Sequence, residues 1–197
     1  MQTHEHHDHA TDPHHLHHHH HEGGSTSVAV SATLHCLTGC AIGEIAGMAI
    51  GTALGLSNIA TIFLAIVLAF VFGYSLTSVP LVRAGWTLAA AAPIAFASDT
   101  LSIATMEVVD NAVVVAIPGA IDAGLSDLLF WGSLSFSLAV AFVVAVPVNG
   151  WLIARDKGHA VVHQTGIHGG PPIPVVAAVT AGAAVFGIAV LAAEAFG

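Results

Sequence analysis

Apolar and polar positions divide the chain into an N-terminal segment without apolar runs and five long apolar stretches. The stretches fall at about 28–56, 59–79, 86–109, 128–148 and 175–195. Each reaches roughly the 20 apolar residues that a helix needs to cross a bilayer core. The pattern predicts an all-α, polytopic membrane bundle over 28–197 with about five transmembrane helices, or four and a partly inserted segment. A histidine-rich tail over 1–27 precedes it, with too little apolar content to fold alone. Pro80 and Arg83 mark the turn between the second and third stretches. Residues 111–127 hold Pro118, two glycines, Asp122 and Asp127, and read as an acidic loop with an apolar, re-entrant portion.

The first stretch organises the rest. As a helix, LHCLTGCAIGEIAGMAIGTALGL (34–56) carries two ridges at a spacing of four. One is Cys36, Cys40, Glu44 and Met48; the other is Gly39, Gly43, Gly47, Gly51 and Gly55, with His35 at its head. At ~100° per residue the ridges are neighbours on the cylinder. Small residues at this spacing let another helix approach closely in a membrane, and the third stretch is the expected partner. That stretch carries Asp99, Ser102, Met106 and Asp110 on one face, at i, i+3, i+7 and i+11. Glu44 and Asp99 are expected at similar depth, facing a common interior with Cys40 nearby. Glu107, Asp110 and Asp127 are expected near the membrane interface. The uncharged second stretch reads as a lipid-facing scaffold.

Composition fits a membrane protein. The 197 residues are 55% hydrophobic and only 8% charged, against about a quarter charged for a soluble domain. The three basic residues, Arg83, Arg155 and Lys157, give nucleic acid no electrostatic footing. The formal charge of −9 counts all fifteen histidines as neutral. Basic loops favour the cytoplasm. With five spans in the cell (inner) membrane, this places the N-terminus in the cytoplasm, together with His159, His163 and His168, and Gly197 outside. No nucleotide-binding, dinucleotide-binding or hydrolase signature is present, so an enzyme is not expected.

Two features carry candidate chemistry. The tail holds His4, His6, His7, His9, His14, His15, His17, His18, His19, His20 and His21 among Glu5, Asp8, Asp12 and Glu22. Such a segment reads as a metal-collecting tail, with a passive buffer or an expression tag as the plain alternatives. The second feature lies in the membrane: His35, Cys36, Cys40, Glu44 and Met48, completed from the third stretch by Asp99 and Met106. Thiolate and thioether suit a soft or borderline ion, so copper is favoured, with zinc or nickel behind it. Glu44 and Asp99 also suit a proton relay, because ionisable groups at membrane depth are costly to keep. The plain readings are core-packed thiols, packing methionines and structurally hydrogen-bonded carboxyls. A helix holds Cys36 and Cys40 in poor geometry for a disulfide, so they read as free thiols or ligands. The leading function is therefore binding and export of a transition metal. Alternatives are a membrane metallochaperone or assembly factor that hands metal to a receiving protein, and a proton-coupled carrier of a small solute. The expected partners are the lipid bilayer, the metal ion, that receiving protein or a second copy of the chain.

LHCLTGCAIGEIAGMAIGTALG, ASDTLSIATMEVVDN, IPGAIDAGLSDLLFWGS and PVNGWLIARDKGHAVVH resemble the prokaryotic membrane proteins grouped as domain of unknown function family 4396. The likeness covers roughly 31–163. The family pattern leads one to expect asparagine–arginine where this chain has Asn149–Gly150. The resemblance implies a multi-span membrane protein and no particular activity. His35, Cys36, Cys40, Glu44, Asp99, Glu107, Asp110 and Asn111 lie within its motifs.

Overall fold

The structure, a computed structural model, describes residues 22–155, 157 and 173–196. Five helices account for nearly all of them: α1 (Glu22–Leu54), α2 (Asn58–Arg83), α3 (Leu88–Ala116), α4 (Leu128–Ile153) and α5 (Ile173–Phe196). A short 3-10 turn, Ala120–Asp122, sits between α3 and α4. The first four are long and apolar enough to cross a membrane. Among the described residues there is no strand, as expected for backbone that must satisfy its own hydrogen bonds in lipid. The tail histidines at 4–21, and His159, His163 and His168, lie outside the described residues.

The joints use conventional turn chemistry. Gly55 and Gly85 take positive φ just beyond α1 and α2, where a left-handed residue ends a helix without strain. Ser57 and Thr87 cap the next helices, each side chain accepting a hydrogen bond from the backbone N–H three residues on. Pro80 falls in the last turn of α2, and α2 continues through it to Arg83.

Helices α1 to α4 form a ring in which each contacts the next and α4 closes on α1. Helices α1 and α3 also meet across the ring, and α5 packs on the outside of α4. Large apolar side chains such as Ile59, Phe63, Leu101, Val108 and Val185 point outward, giving the bundle a lipid-compatible surface. The chain is a multi-pass membrane protein.

Three expectations change. The glycine ridge of α1 is filled by α2, not by α3. A Cβ at Gly39 would stand 2.7 Å from Gly73 Cα, and at Gly43, Gly47 and Gly51 it would collide with Ala69, Ala65 and Thr61. Helix α2 carries its own small residues at a spacing of four, so the two backbones interlock antiparallel, and only its opposite face meets lipid. Second, α3 continues past the expected end at 109 to Ala116, taking in the first residues of the supposed acidic loop. Asn111 stays helical with its side chain donating to the Glu107 carbonyl at 2.9 Å. Third, α1 begins at Glu22, so the last residues of the expected tail are already helical.

Candidate functional site

Because the glycine ridge faces α2, the neighbouring ridge of α1 turns toward α3 and α4. Cys36 and Cys40 are each 1% exposed and pack with Met106, Ile103, Ala69, Ala141 and Ala145 in the core of the bundle. Both are free thiols. Beyond them, toward the α1–α2 turn, lies Glu44, whose carboxyl oxygens are buried although its stem is half-exposed.

Glu44 meets Asp110 and Glu107, not Asp99. Its carboxyl faces that of Asp110, with Glu107 close to both. Glu107 and Asp110 are each 4% exposed, so neither lies at the interface; the extra turns of α3 carry them inside the ring. Asp127, by contrast, is exposed and accepts a hydrogen bond from Gly124 N–H at 2.6 Å. The Cys40 thiol stands beside Glu107, Asn111 Nδ2 reaches its Oε2 at 3.5 Å, and the Ser137 hydroxyl of α4 lies against Asp110. Both oxygens of Glu44, Oε1 of Glu107 and Oδ1 of Asp110 accept no hydrogen bond from any described residue. Two facing carboxyls can hydrogen-bond each other only when one carries a proton. With both ionised, these oxygens are available to a cation.

The carboxyls line a cavity of about 80 Å³. Met48 and Thr61 add to its wall, Asn111 and Ser133 supply further polar groups, and Phe130 and Leu134 of α4 form its apolar side. Ala120 and Ile121 of the 3-10 turn also line it. That turn is fastened to α2 by Asn58 Nδ2 donating to Asp122 Oδ1 at 2.7 Å.

Asp99 belongs to a second polar layer, nearer the N-terminal end of α1. It is fully buried, accepts from Ser98 Oγ at 2.8 Å, and stands near Cys36. Asn149 of α4 closes this layer, donating to Thr33 Oγ1 at 2.8 Å and Ser102 Oγ at 2.9 Å. It thereby ties α1, α3 and α4 together. On α3, Asp99 lies eleven residues from Asp110, or ~16 Å along the axis, so the expected Glu44–Asp99 meeting does not occur. His35 points to α2, where its Nε2 pairs with Thr77 Oγ1 at 3.0 Å. Met48 packs toward the Phe130 and Leu134 cluster. The seven residues expected to share one metal site are thus divided among separate places. Among the described residues, no three His, Cys, Asp or Glu side chains form a ready ligand set.

Sequence reasoning missed Glu107, Asp110, Ser137 and Asn149 as members of buried centres. For Asp110 the signal was present: it continues the Asp99, Ser102, Met106 face. For Asn149 the signal was a lone amide inside an apolar run.

Residues 27–158 match the family described as domain of unknown function DUF4396. The match covers most of the chain and all of α2, α3 and α4, and the chain belongs to that family. No curated protein and no solved structure matches it.

Proposed function

We propose that this member of the DUF4396 family moves a metal cation across the cell membrane in exchange for protons, using Glu44 and Asp110, with Glu107 beside them, as the loading site. One observation carries this reading: three carboxyls from two helices line one cavity within the apolar helices, with oxygens to which no described residue donates. An intramembrane carboxylate is expensive. A cluster of them needs compensating positive charge, supplied either by protons or by a cation, and exchange between the two is the elementary step of an antiporter. The polar layer at Asp99, Ser102 and Asn149 offers a way station between this centre and the other end of the bundle. The histidine tail would raise the local metal concentration where the path begins.

Charge supports a direction. Arg83 at the end of α2 and Arg155 beyond α4 lie at the same end of the bundle as the start of α1. The Arg155 guanidinium rests 4.0 Å over the Trp151 ring, a pairing suited to the membrane interface. With that end in the cytoplasm, the carboxyl centre lies toward the outer side and the carrier exports. Reporter fusions at Met1 and Gly197 should report opposite sides, with Met1 inside; both ends on one side would remove the argument for export.

Transport itself is tested in proteoliposomes carrying a metal indicator on one side and a pH dye on the other. Metal flux should be matched by proton movement in the opposite direction, and both should collapse in Glu44→Gln. Undiminished flux in that variant would sink the reading. Metal binding without flux would make the chain a metal-holding protein that delivers to a partner.

A further inference from the structure

We propose that the cation taken by this centre is a partly hydrated divalent ion of the oxygen-preferring kind, held directly by Glu44 and Asp110 and completed by water. This rests on the carboxyl centre being the loading site, and it replaces the copper preference drawn from the cysteines.

The donor set decides the class. The two carboxyls that face each other come from different helices, Glu44 on α1 and Asp110 on α3, with Glu107 close by. Asp110 and Glu107 are 4% exposed, both line the cavity, and each has one buried oxygen to which no described residue donates. Carboxylate, amide and hydroxyl oxygens surround it, from Asn111 and Ser133 as well. Such donors suit magnesium, calcium or manganese, whereas Cu(I) wants several sulfurs. The sulfurs are not gathered there. Cys36 lies in the apolar core near Ser102, Cys40 beside Glu107, and Met48 alone lines the cavity, packed toward Phe130 and Leu134. Two carboxylates alone would leave a divalent ion short of ligands. A small hard ion dehydrates reluctantly and is commonly bound by one or two carboxylates while keeping several waters. The cavity of about 80 Å³ has space for several waters, each needing roughly 10–15 Å³ on this measure. A dry all-protein cage is neither present nor needed.

Mn2+ is the probe, because its paramagnetic resonance signal reports binding and its deuterium coupling in D2O counts the waters that remain bound. The purified full-length chain should bind Mn2+ in competition with Mg2+, with waters still on the metal. Affinity should fall at least about tenfold in Glu44→Gln and in Asp110→Asn. The tail histidines contribute the same background to every variant. Glu44→Asp, which keeps the carboxylate, should retain measurable binding if the variants fold, as melting and gel filtration would establish. Unchanged Mn2+ affinity in folded Glu44→Gln and Asp110→Asn overturns the proposal. So does Cu(I) binding that Cys36→Ser abolishes while no Mn2+ binds. In the latter case, flux of copper lost in Glu44→Gln would leave the carrier reading intact, whereas Mn2+ binding with no flux of any metal would remove the carrier and keep the site.

Discussion

Gly43→Leu is expected to be among the most disruptive single substitutions in the chain, lowering stability by about 3 kcal/mol, the upper end of the usual cost of overpacking. The added Cβ would collide with the backbone of Ala69, which no side-chain rotation can relieve. Helices α1 and α2 would have to separate along a ridge that otherwise interlocks from Gly39 to Gly51. Within lipid there is no hydrophobic drive to restore the contact, since the tails are as apolar as the side chains, and close van der Waals packing is what holds two helices together. The effect should also reach the site, because Glu44 is the next residue and its approach to Asp110 depends on the position of α1. Thermal denaturation in detergent measures the first consequence and metal binding the second. Gly182→Ala is the control: beyond its own helix backbone, no described residue comes within 4 Å of a Cβ there, so it should be nearly neutral. Equal melting temperatures for Gly43→Leu and the unaltered chain would mean that the α1–α2 ridge is not a close-packed interface.

That ridge also shows what could be read from residues alone. The apolar stretches, the ridge itself and its chemical neighbour were all visible at a spacing of four. Its partner was not. Helices α2 and α3 both supply long apolar faces, and the deciding feature is the complementary small-residue file Thr61, Ala65, Ala69 and Gly73 on α2. A reading centred on polar residues passes over that file. The end of α3 failed for a related reason. Glu107, Asp110 and Asn111 look like the start of a solvated loop when counted as polar residues. The helix continues because their polar groups face Glu44, Cys40 and Ser137 inside the ring. Counting residues put Glu44 and Asp99 at similar depth; that failed because the register between α1 and α3 is set by packing between distant parts of the chain. A shift of about three turns of α3 separates the expected Glu44–Asp99 meeting from the Glu44–Asp110 meeting found.

A double-mutant cycle should find Glu44 coupled to Asp110 and independent of Asp99. Glu44→Gln, Asp110→Asn and Asp99→Asn each remove one ionisable group with little change in shape, so the cycle compares charge and proton-sharing more than volume. Groups in contact show interaction energies of about 0.5–3 kcal/mol, while sites more than ~7–10 Å apart add to within ~0.5 kcal/mol. Glu44 and Asp110 face each other across the α1–α3 contact. Once either is neutralised, the other loses both its like-charge neighbour and its partner in any shared proton or cation. The second substitution therefore has less left to remove, and the double variant should lie well short of the sum of the singles. Asp99 sits ~16 Å farther along α3, bonded to Ser98 in the layer that Asn149 closes. Its loss should add independently to that of Glu44 in stability. Denaturation midpoints in detergent give the stability cycle, and Mn2+ affinity gives a second cycle on the same variants. In the binding cycle, Glu44→Gln and Asp110→Asn should each remove most of the affinity, so their combination should cost little more than either alone. Strong coupling of Glu44 to Asp99, with none to Asp110, would place α3 in the other register and return the centre of the bundle to the thiol layer.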